Sequence, residues 1–151
     1  MKCLIAFWLL LVAMTGPSFA QFDYPSWPSI YRLYYADDVS NTISTAVISF
    51  NPITDIIHIY DHQRLYTANA PKGLVSCGAD LYWIENGTNV FRGRKDGGSA
   101  KSSIVSGLGG RAYDLVLRGG ALYISDAYKN GIYCILKADL LGQTIQVFNL
   151  P

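Results

Sequence analysis

Two histidines are the first candidates for chemistry, because paired imidazoles bind metal ions. His58 and His62 stand four residues apart in the run HIYDH, and on a helix this spacing brings two ligands to one ion. The run is rich in strand-forming residues, and on a strand that rises about 3.3 Å per residue the two rings lie roughly 13 Å apart. We therefore expect no shared metal ion. The spacing of Ser, His and acidic residues suggests no catalytic triad either.

The first twenty residues have the features of a cleaved signal peptide. Lys2 provides a positive start, Cys3 to Met14 is an apolar run, and Ser18 and Ala20 are small residues at the positions that signal peptidase recognises. An apolar run of this length is too short to span a bilayer. We expect a secreted, extracellular chain of residues 21–151 that does not insert into a membrane after cleavage.

The charges of the processed chain are balanced and dispersed. Removing Lys2 from the 12 basic residues leaves as many basic as acidic side chains, so the formal net charge of +1 becomes 0. Without a basic cluster, we expect no nucleic-acid partner. Cys77 and Cys134 remain in an oxidising compartment, but the strand pattern gives no reason for the two sulfurs to meet, and we expect both to be unpaired.

The tripeptide Asn86-Gly87-Thr88 is an acceptor sequence for N-glycosylation. Asn-Gly also suits an exposed turn between two strands. The sequence therefore predicts a turn at Asn86 that is either glycosylated or unmodified.

The pattern of β-branched and aromatic residues predicts an all-β fold. Short runs of these residues are separated by Gly, Asn, Asp or Pro, and no long window has a helical period. We expect eleven strands: Ile30 to Ala36, Thr42 to Phe50, Asp55 to Tyr60, Gly73 to Cys77, Leu81 to Glu85, Asn89 to Arg94, Ser103 to Ser106, Tyr113 to Leu117, Ala121 to Ser125, Ile132 to Lys137 and Thr144 to Phe148.

An internal repeat groups these strands. LYWIENG, from Leu81, is similar to LYISDAYKNG, which begins 41 residues later at Leu122, and the match extends upstream from both. A degenerate third copy of the phrase lies at Leu33 to Asp37. A period of about 40 residues with four short strands is typical of a propeller blade.

The repeated phrases resemble the YWTD repeats, or class B repeats, of the low-density-lipoprotein receptor family. The segments LYYAD, LYWIE and LYISD are similar to the family's L-Y-W-T-D, APKGL at Ala70 is similar to the blade opening N-P-R-G-L, and KDGGS at Lys95 is similar to the turn L-D-G-S. The resemblance implies structural roles within the blades for seven residues: Tyr34, Asp37, Tyr82, Trp83, Glu85, Tyr123 and Asp126.

The resemblance also implies three four-stranded antiparallel blades, at about 22–68, 69–108 and 109–151. Because the family's ring has six blades, this chain would form half of it. Ala46 to Ile48, Ile56-Ile57 and Ile132 to Leu136 are apolar on both faces, so both outermost blades need cover. We expect a homodimer that closes the ring, with Asp23 to Ile30 as a further strand at the seam.

The family binds extracellular ligands through loops at the propeller rim and face. The resemblance implies a non-enzymatic binding protein with no cofactor, whose ligand is an extracellular protein or carbohydrate. The corresponding positions here are Asn69, Lys72, Arg111, Tyr113 and Asp114. Two alternatives stay open. One is a calcium-propeller hydrolase, although only Asp114 stands near the start of an innermost strand. The other is a structural matrix protein, because all 11 tyrosines follow the signal peptide.

Overall fold

The computed structural model of the protein describes residues 29–51, 53–129 and 132–149. Within these ranges the fold is all-β, as predicted, with eleven strands and no helix. The strands are β1 (Ser29–Asp37), β2 (Thr42–Asn51), β3 (Ile56–Thr67), β4 (Pro71–Cys77), β5 (Asp80–Glu85), β6 (Asn89–Arg94), β7 (Ser102–Val105), β8 (Ala112–Arg118), β9 (Ala121–Lys129), β10 (Ile132–Asp139) and β11 (Thr144–Asn149).

The strands form three sheets in which neighbours along the chain pair with each other. Their orders are β1-β2-β3, β4-β5-β6-β7 and β11-β10-β9-β8. The first sheet has three strands in the described part of the chain, whereas the repeat predicted four in each unit. The additional strand expected from Asp23 to Ile30 falls mostly outside the described residues, and only Ser29 and Ile30 are described, as the start of β1.

The two four-stranded sheets repeat each other at the level of backbone register. Leu74 pairs with Trp83 in one sheet, and Leu115 pairs with Ile124 in the other, 41 residues later in both strands. The register shifts between Lys72 and Leu74 in β4, and it shifts again between Ala112 and Asp114 in β8. The sequence repeat therefore corresponds to a structural repeat that includes a bulge in the same part of the strand, displaced by one residue.

Glycine sets the turns that join the first two strands of these sheets. Cys77 pairs with Asp80 across a two-residue turn, and Arg118 pairs with Ala121 across Gly119 and Gly120. Both of these glycines have positive φ, 57° and 73°, which is the conformation that a two-residue hairpin turn requires. The strands that the sequence predicted on either side of Gly119 and Gly120 are thus joined by a tight turn.

All eleven predicted strands are present, and the largest difference is the length of β3. The sequence ended this strand at Tyr60, but it continues to Thr67. Asp61 adopts a left-handed conformation, with φ of 54°, within the polar run that follows Tyr60. Because this run is polar, it lacks the apolar alternation that would have predicted the continuing strand.

The described chain divides into two compact units, one containing residues 29–35, 45–51 and 53–63, the other the remainder. In the second unit, the main core lies between β5 and the strands β8 and β9. Its buried members are Tyr82, Ile84, Val90, Val105, Leu108, Ala112, Leu115, Leu122, Ile124 and Ala138. This core covers one face of β5 and supplies the hydrophobic stabilisation of that unit.

An aromatic stack covers the opposite face of β5. The ring centroids of Trp83 and Tyr66 are 5.2 Å apart, and those of Trp83 and Phe91 are 6.2 Å apart. Gly93 lies beneath the stack, where a Cβ atom would come within 2.6 Å of the Tyr66 ring. All five residues from Leu81 to Glu85 are buried as a result.

The first unit exposes much of its apolar surface. Along β3, every residue from Ile56 to Gln63 is exposed. The large apolar side chains exposed in this unit are Ile30, Tyr31, Ile53, Ile56, Ile57, Ile59 and Tyr60. Ile56 and Ile57 are adjacent and so point to opposite faces of the sheet, and both side chains are exposed in the described structure.

The remaining predictions concern the two cysteines, the signal peptide and the membrane. Cys77 is half-buried and unpaired, which confirms the prediction for this residue. The side chain of Cys134 and the predicted signal peptide lie outside what the structure describes. Among the described residues, there is no helix with the length and hydropathy needed to cross a membrane.

Candidate functional site

Three of the five predicted binding residues meet where β4 lies against β8. The ammonium group of Lys72, the second residue of β4, lies 4.0 Å from the centroid of the Tyr113 ring. Tyr113 is the second residue of β8, and its neighbour Asp114 follows at the bulge. The repeat explains this geometry, because Lys72 and Tyr113 occupy equivalent positions in two successive sheets that pack together.

A glycine allows this close approach of the two strands. Gly73 has φ of +44°, and a Cβ atom there would lie 2.8 Å from Asp114 Oδ1 and 2.9 Å from the backbone nitrogen of Leu115. Any larger residue would therefore push β4 and β8 apart. Asp114 Oδ1 accepts a 2.9 Å hydrogen bond from the backbone of Leu115. The carboxylate is thus fixed by its own strand.

The other two predicted binding residues are linked through the turn after β5. The backbone nitrogen of Asn86 donates to the carbonyl of Asn69 at 3.0 Å, and that of Ala112 donates to the carbonyl of Gly87 at 3.2 Å. Because Ala112 follows Arg111, the turn places Asn69 and Arg111 on either side of it. We call the surface formed by Asn69, Lys72, Arg111, Tyr113 and Asp114 the binding edge.

Asn86, the predicted glycosylation site, is exposed within this turn. It has φ of 53°, which asparagine tolerates better than most residues. The hydroxyl of Thr88, which completes the acceptor sequence, donates to the carbonyl of Glu85 at 3.4 Å. A glycan on Asn86 would stand directly beside Asn69 and so next to the binding edge.

A buried carboxylate anchors the chain beneath the edge. Glu85 is only 3% exposed, and its Oε1 accepts hydrogen bonds from Trp83 Nε1 at 2.8 Å and Lys101 Nζ at 2.5 Å. Its Oε2 accepts one from the backbone of Asn69 at 3.1 Å. Three segments are therefore joined to one side chain, and the segment preceding β4 is held in place through Asn69.

Lys101 is the member of this network that the sequence did not identify. Its ammonium also donates to the carbonyl of Thr67 at 2.8 Å and lies 4.6 Å from the Phe91 ring centroid. Lys101 stands in a Ser-rich loop before β7, where a lone lysine has no distinguishing pattern. The one sequence signal for a different contact here is Glu85, which stands where the YWTD phrase has the shorter Asp.

The acidic residue at the end of the repeated LY phrase has different hydrogen-bond partners in the first copy, where it is Asp37. Asp37 Oδ1 accepts hydrogen bonds from the backbone nitrogens of Ser40 at 2.9 Å and Val39 at 3.0 Å. These hydrogen bonds, with that of Ser40 the largest cause, lower the pKa of Asp37 below its usual value. Asp37 therefore fixes the turn between β1 and β2. The side chain of Asp126, its counterpart in the last copy, is not among those described.

The repeated tyrosines differ in burial. Tyr82 is almost fully buried in the main core, and the loss of water around its hydroxyl raises the pKa of that group. Tyr34 and Tyr123 are half-buried, and the Lys137 ammonium lies 5.8 Å from the Tyr123 ring centroid. Tyr82 therefore packs within the main core, and the role of the three tyrosines within blades stays a prediction.

The two histidines lie on β3, as the metal argument assumed. The Nδ1 atom of His62 is hydrogen-bonded to the hydroxyl of Tyr35 at 3.2 Å. Within the described ranges, no three His, Cys, Asp or Glu side chains come close enough together to hold a metal ion.

Comparisons with known proteins do not assign the chain to a family. No family model matches the sequence, and no curated protein matches it. The functional argument therefore depends on the chemistry of the binding edge. That edge combines two cations, an exposed aromatic ring, a carboxylate and an amide side chain, which are groups suited to holding a polar ligand.

Proposed function

We propose that this protein is a secreted, non-enzymatic binding protein whose binding edge engages an extracellular protein or glycan. The observation that carries the proposal is the meeting of Lys72, Tyr113 and Asp114 on the closely packed strands β4 and β8. Side chains on such a scaffold lose little freedom when they bind a ligand, which favours affinity. The exposed position of Tyr113 also suits a contact residue more than a packing residue.

The proposed architecture is half of a six-bladed propeller of the YWTD type. Three consecutive antiparallel sheets, two of them with equivalent strand pairing and with bulges one residue apart in the repeat, support this interpretation. In the proposed assembly, a second copy of the chain covers the apolar side chains that the three-stranded sheet exposes. A two-fold axis would then close the ring with two sets of three blades.

A closed dimer would carry two equivalent binding edges. Two sites in fixed relation bind repeated ligands, such as polysaccharides or matrix fibres, much more tightly than either site alone. This bivalency is why we favour a lectin-like or matrix-associated role.

Arrays of extracellular glycans and matrix proteins test the binding proposal when they are probed with the purified protein, with and without EDTA. We expect EDTA-insensitive binding that Tyr113→Ala abolishes. The control is Leu141→Ala, which removes an equally exposed apolar side chain from a turn and should bind like the wild type.

Three results would overturn the proposal. Absence of binding to every arrayed ligand would leave the edge without a function. Metal-dependent hydrolysis of a lactone or ester would favour the calcium-propeller hydrolase. Recovery of the secreted protein with chemically cross-linked or modified tyrosines, together with an absence of ligand binding, would favour a structural matrix protein.

A further inference from the structure

The charge of Lys72 is not neutralised within the described part of the molecule. The ion pairs there join Arg92 to Asp80, Arg94 to Asp96 and Lys101 to Glu85. The Lys72 ammonium lies over the Tyr113 ring instead. A cation in this position, half-exposed and close to an aromatic face, retains the ability to pair with an anion from solution.

The acidic side chain of the binding edge does not compete for this cation. Asp114 Oδ1 is occupied by the backbone of Leu115 and faces the backbone of Gly73. No carboxylate of the described residues lies within ion-pair distance of the Lys72 ammonium. The Lys72 cation therefore lies beside Tyr113 without a carboxylate partner among the described residues, which favours an anionic ligand.

Tyr113 adds an apolar surface to this site. Its side chain is 61% exposed, although aromatic residues are usually buried. An exposed ring with a polar hydroxyl offers a flat face for the C–H groups of a sugar and a hydrogen bond at its tip. Asn69 provides further polar groups at the same edge. An aromatic platform beside a cation and an amide matches the chemistry of an acidic sugar.

The backbone argues against an extended peptide at this position. β4 and β8 are the outer strands of their sheets in the described chain, and a peptide would bind there by adding a strand. Both strands carry a bulge at the binding edge, between Lys72 and Leu74 and between Ala112 and Asp114. A bulge interrupts the regular row of hydrogen-bonding groups that strand addition requires.

We infer that the ligand of the binding edge is an acidic carbohydrate. Its carboxylate or sulfate pairs with Lys72, and a sugar ring packs on Tyr113. This inference rests on the proposed binding function and narrows its ligand to one chemical class. Uronate-containing and sulfated polysaccharides share this chemistry, and the experiment separates them.

The test is calorimetric titration of the secreted protein with three oligosaccharides of equal length. They are a hyaluronan fragment, which carries only carboxylates, a heparin fragment, which also carries sulfates, and a neutral chitin fragment. All samples are compared in the wild-type and Thr88→Ala backgrounds, because removing the acceptor sequence prevents a glycan on Asn86 from covering the edge. We expect at least one acidic fragment to bind and the neutral one not to.

Substitution of Lys72 should show whether an acidic oligosaccharide binds at this site or is held only by non-specific electrostatic attraction. A charge-assisted hydrogen bond contributes about 1.5–3 kcal/mol, so Lys72→Gln should weaken binding by about tenfold or more. The matched control is Lys137→Gln, which removes a lysine that also lies over a tyrosine ring, that of Tyr123, away from the edge. The control should bind within about twofold of wild type. Thermal unfolding of both variants confirms that they are folded.

The outcomes distinguish this inference from the function on which it rests. Equal binding of the neutral fragment, or equal losses in Lys72→Gln and Lys137→Gln, would overturn the acidic-sugar inference and leave a binding protein. Binding of an acidic peptide in preference to all three sugars would do the same. Failure of every glycan and protein ligand would overturn both proposals.

Discussion

Strands β5 and β3 have similar apolar content in their first halves, but they have opposite surroundings. In β5 the run from Leu81 to Glu85 is buried on both faces, by the aromatic stack on one side and the main core on the other. In β3 the run from Ile56 to Gln63 is exposed throughout. The sequence pattern alone therefore does not decide burial. A strand with apolar residues on both faces is buried only where neighbouring sheets cover it.

This difference is the basis of the proposed assembly. Ile56 and Ile57 are 47% and 61% exposed on opposite faces, and soluble monomers seldom expose apolar patches larger than several hundred Å². β5 represents the covered state of such a strand. In the proposed assembly, a second copy of the chain covers the three-stranded sheet, as the neighbouring strands cover β5 within one chain.

The largest effect should follow from removing the centre of the aromatic stack. Trp83→Ala deletes a fully buried ring and should lower the free energy of unfolding by about 4 kcal/mol, measured by urea denaturation. Trp83→Phe keeps most of the packing and should lose less, which preserves the test if the alanine variant does not fold. A loss in Trp83→Ala no larger than that of an exposed residue would contradict the assigned burial.

The second effect concerns the buried carboxylate at the end of β5. Glu85→Ala removes the carboxylate acceptor that Lys101 and the Trp83 N–H share, and should cost about 3 kcal/mol of unfolding free energy. Glu85→Gln keeps an acceptor oxygen and should cost less. Removing Asp96 from the exposed pair with Arg94 should change stability much less than Glu85→Ala, because solvent screens exposed pairs. Equal losses at both sites would be inconsistent with the network described.

The third effect is specific to the three-stranded sheet. Burying one isoleucine side chain contributes about 1.5 kcal/mol or more, so Ile57→Lys should weaken dimerisation by at least tenfold in sedimentation measurements. Leu141→Lys, at an exposed turn, should associate like the wild type. The Ile57→Lys variant should remain folded, because Ile57 is 61% exposed and does not belong to the core formed by the described residues.

The smallest effect is a dependence of stability on pH. Because the folded-state pKa of Asp37 is lowered, the ionised carboxylate stabilises the fold above the unfolded-state pKa, and this contribution is lost as the pH falls through the folded-state pKa. Asp37→Asn keeps the oxygen that caps the turn but does not titrate. Between about pH 5 and pH 2, its unfolding free energy should fall less steeply than that of the wild type. Parallel curves would contradict this role.

The sequence predicted the strands well, because alternation and glycine turns are local signals. It predicted β3 too short, since the four residues after Tyr60 are polar and exposed and carry no alternation. Three strands of the first sheet lie within the described residues, and its fourth strand stays a prediction.

The candidate site was predictable in part. The repeat placed Lys72 and Tyr113 at equivalent positions, which implies proximity once two sheets pack side by side. The contact of the ammonium with the ring, and the role of Gly73 in allowing it, depend on backbone geometry that has no local signature. Lys101 was not predicted for the same reason, since it lies in a loop and its partner Glu85 stands 16 positions earlier, at the end of β5.

The mass of the processed protein in solution tests the central claim most directly. Light scattering over a range of protein concentrations should give twice the mass of one processed chain, with dissociation only on dilution. A monodisperse species with the mass of one chain at every concentration would contradict the account, because the exposed isoleucines of β3 would then be stable in water without a second copy.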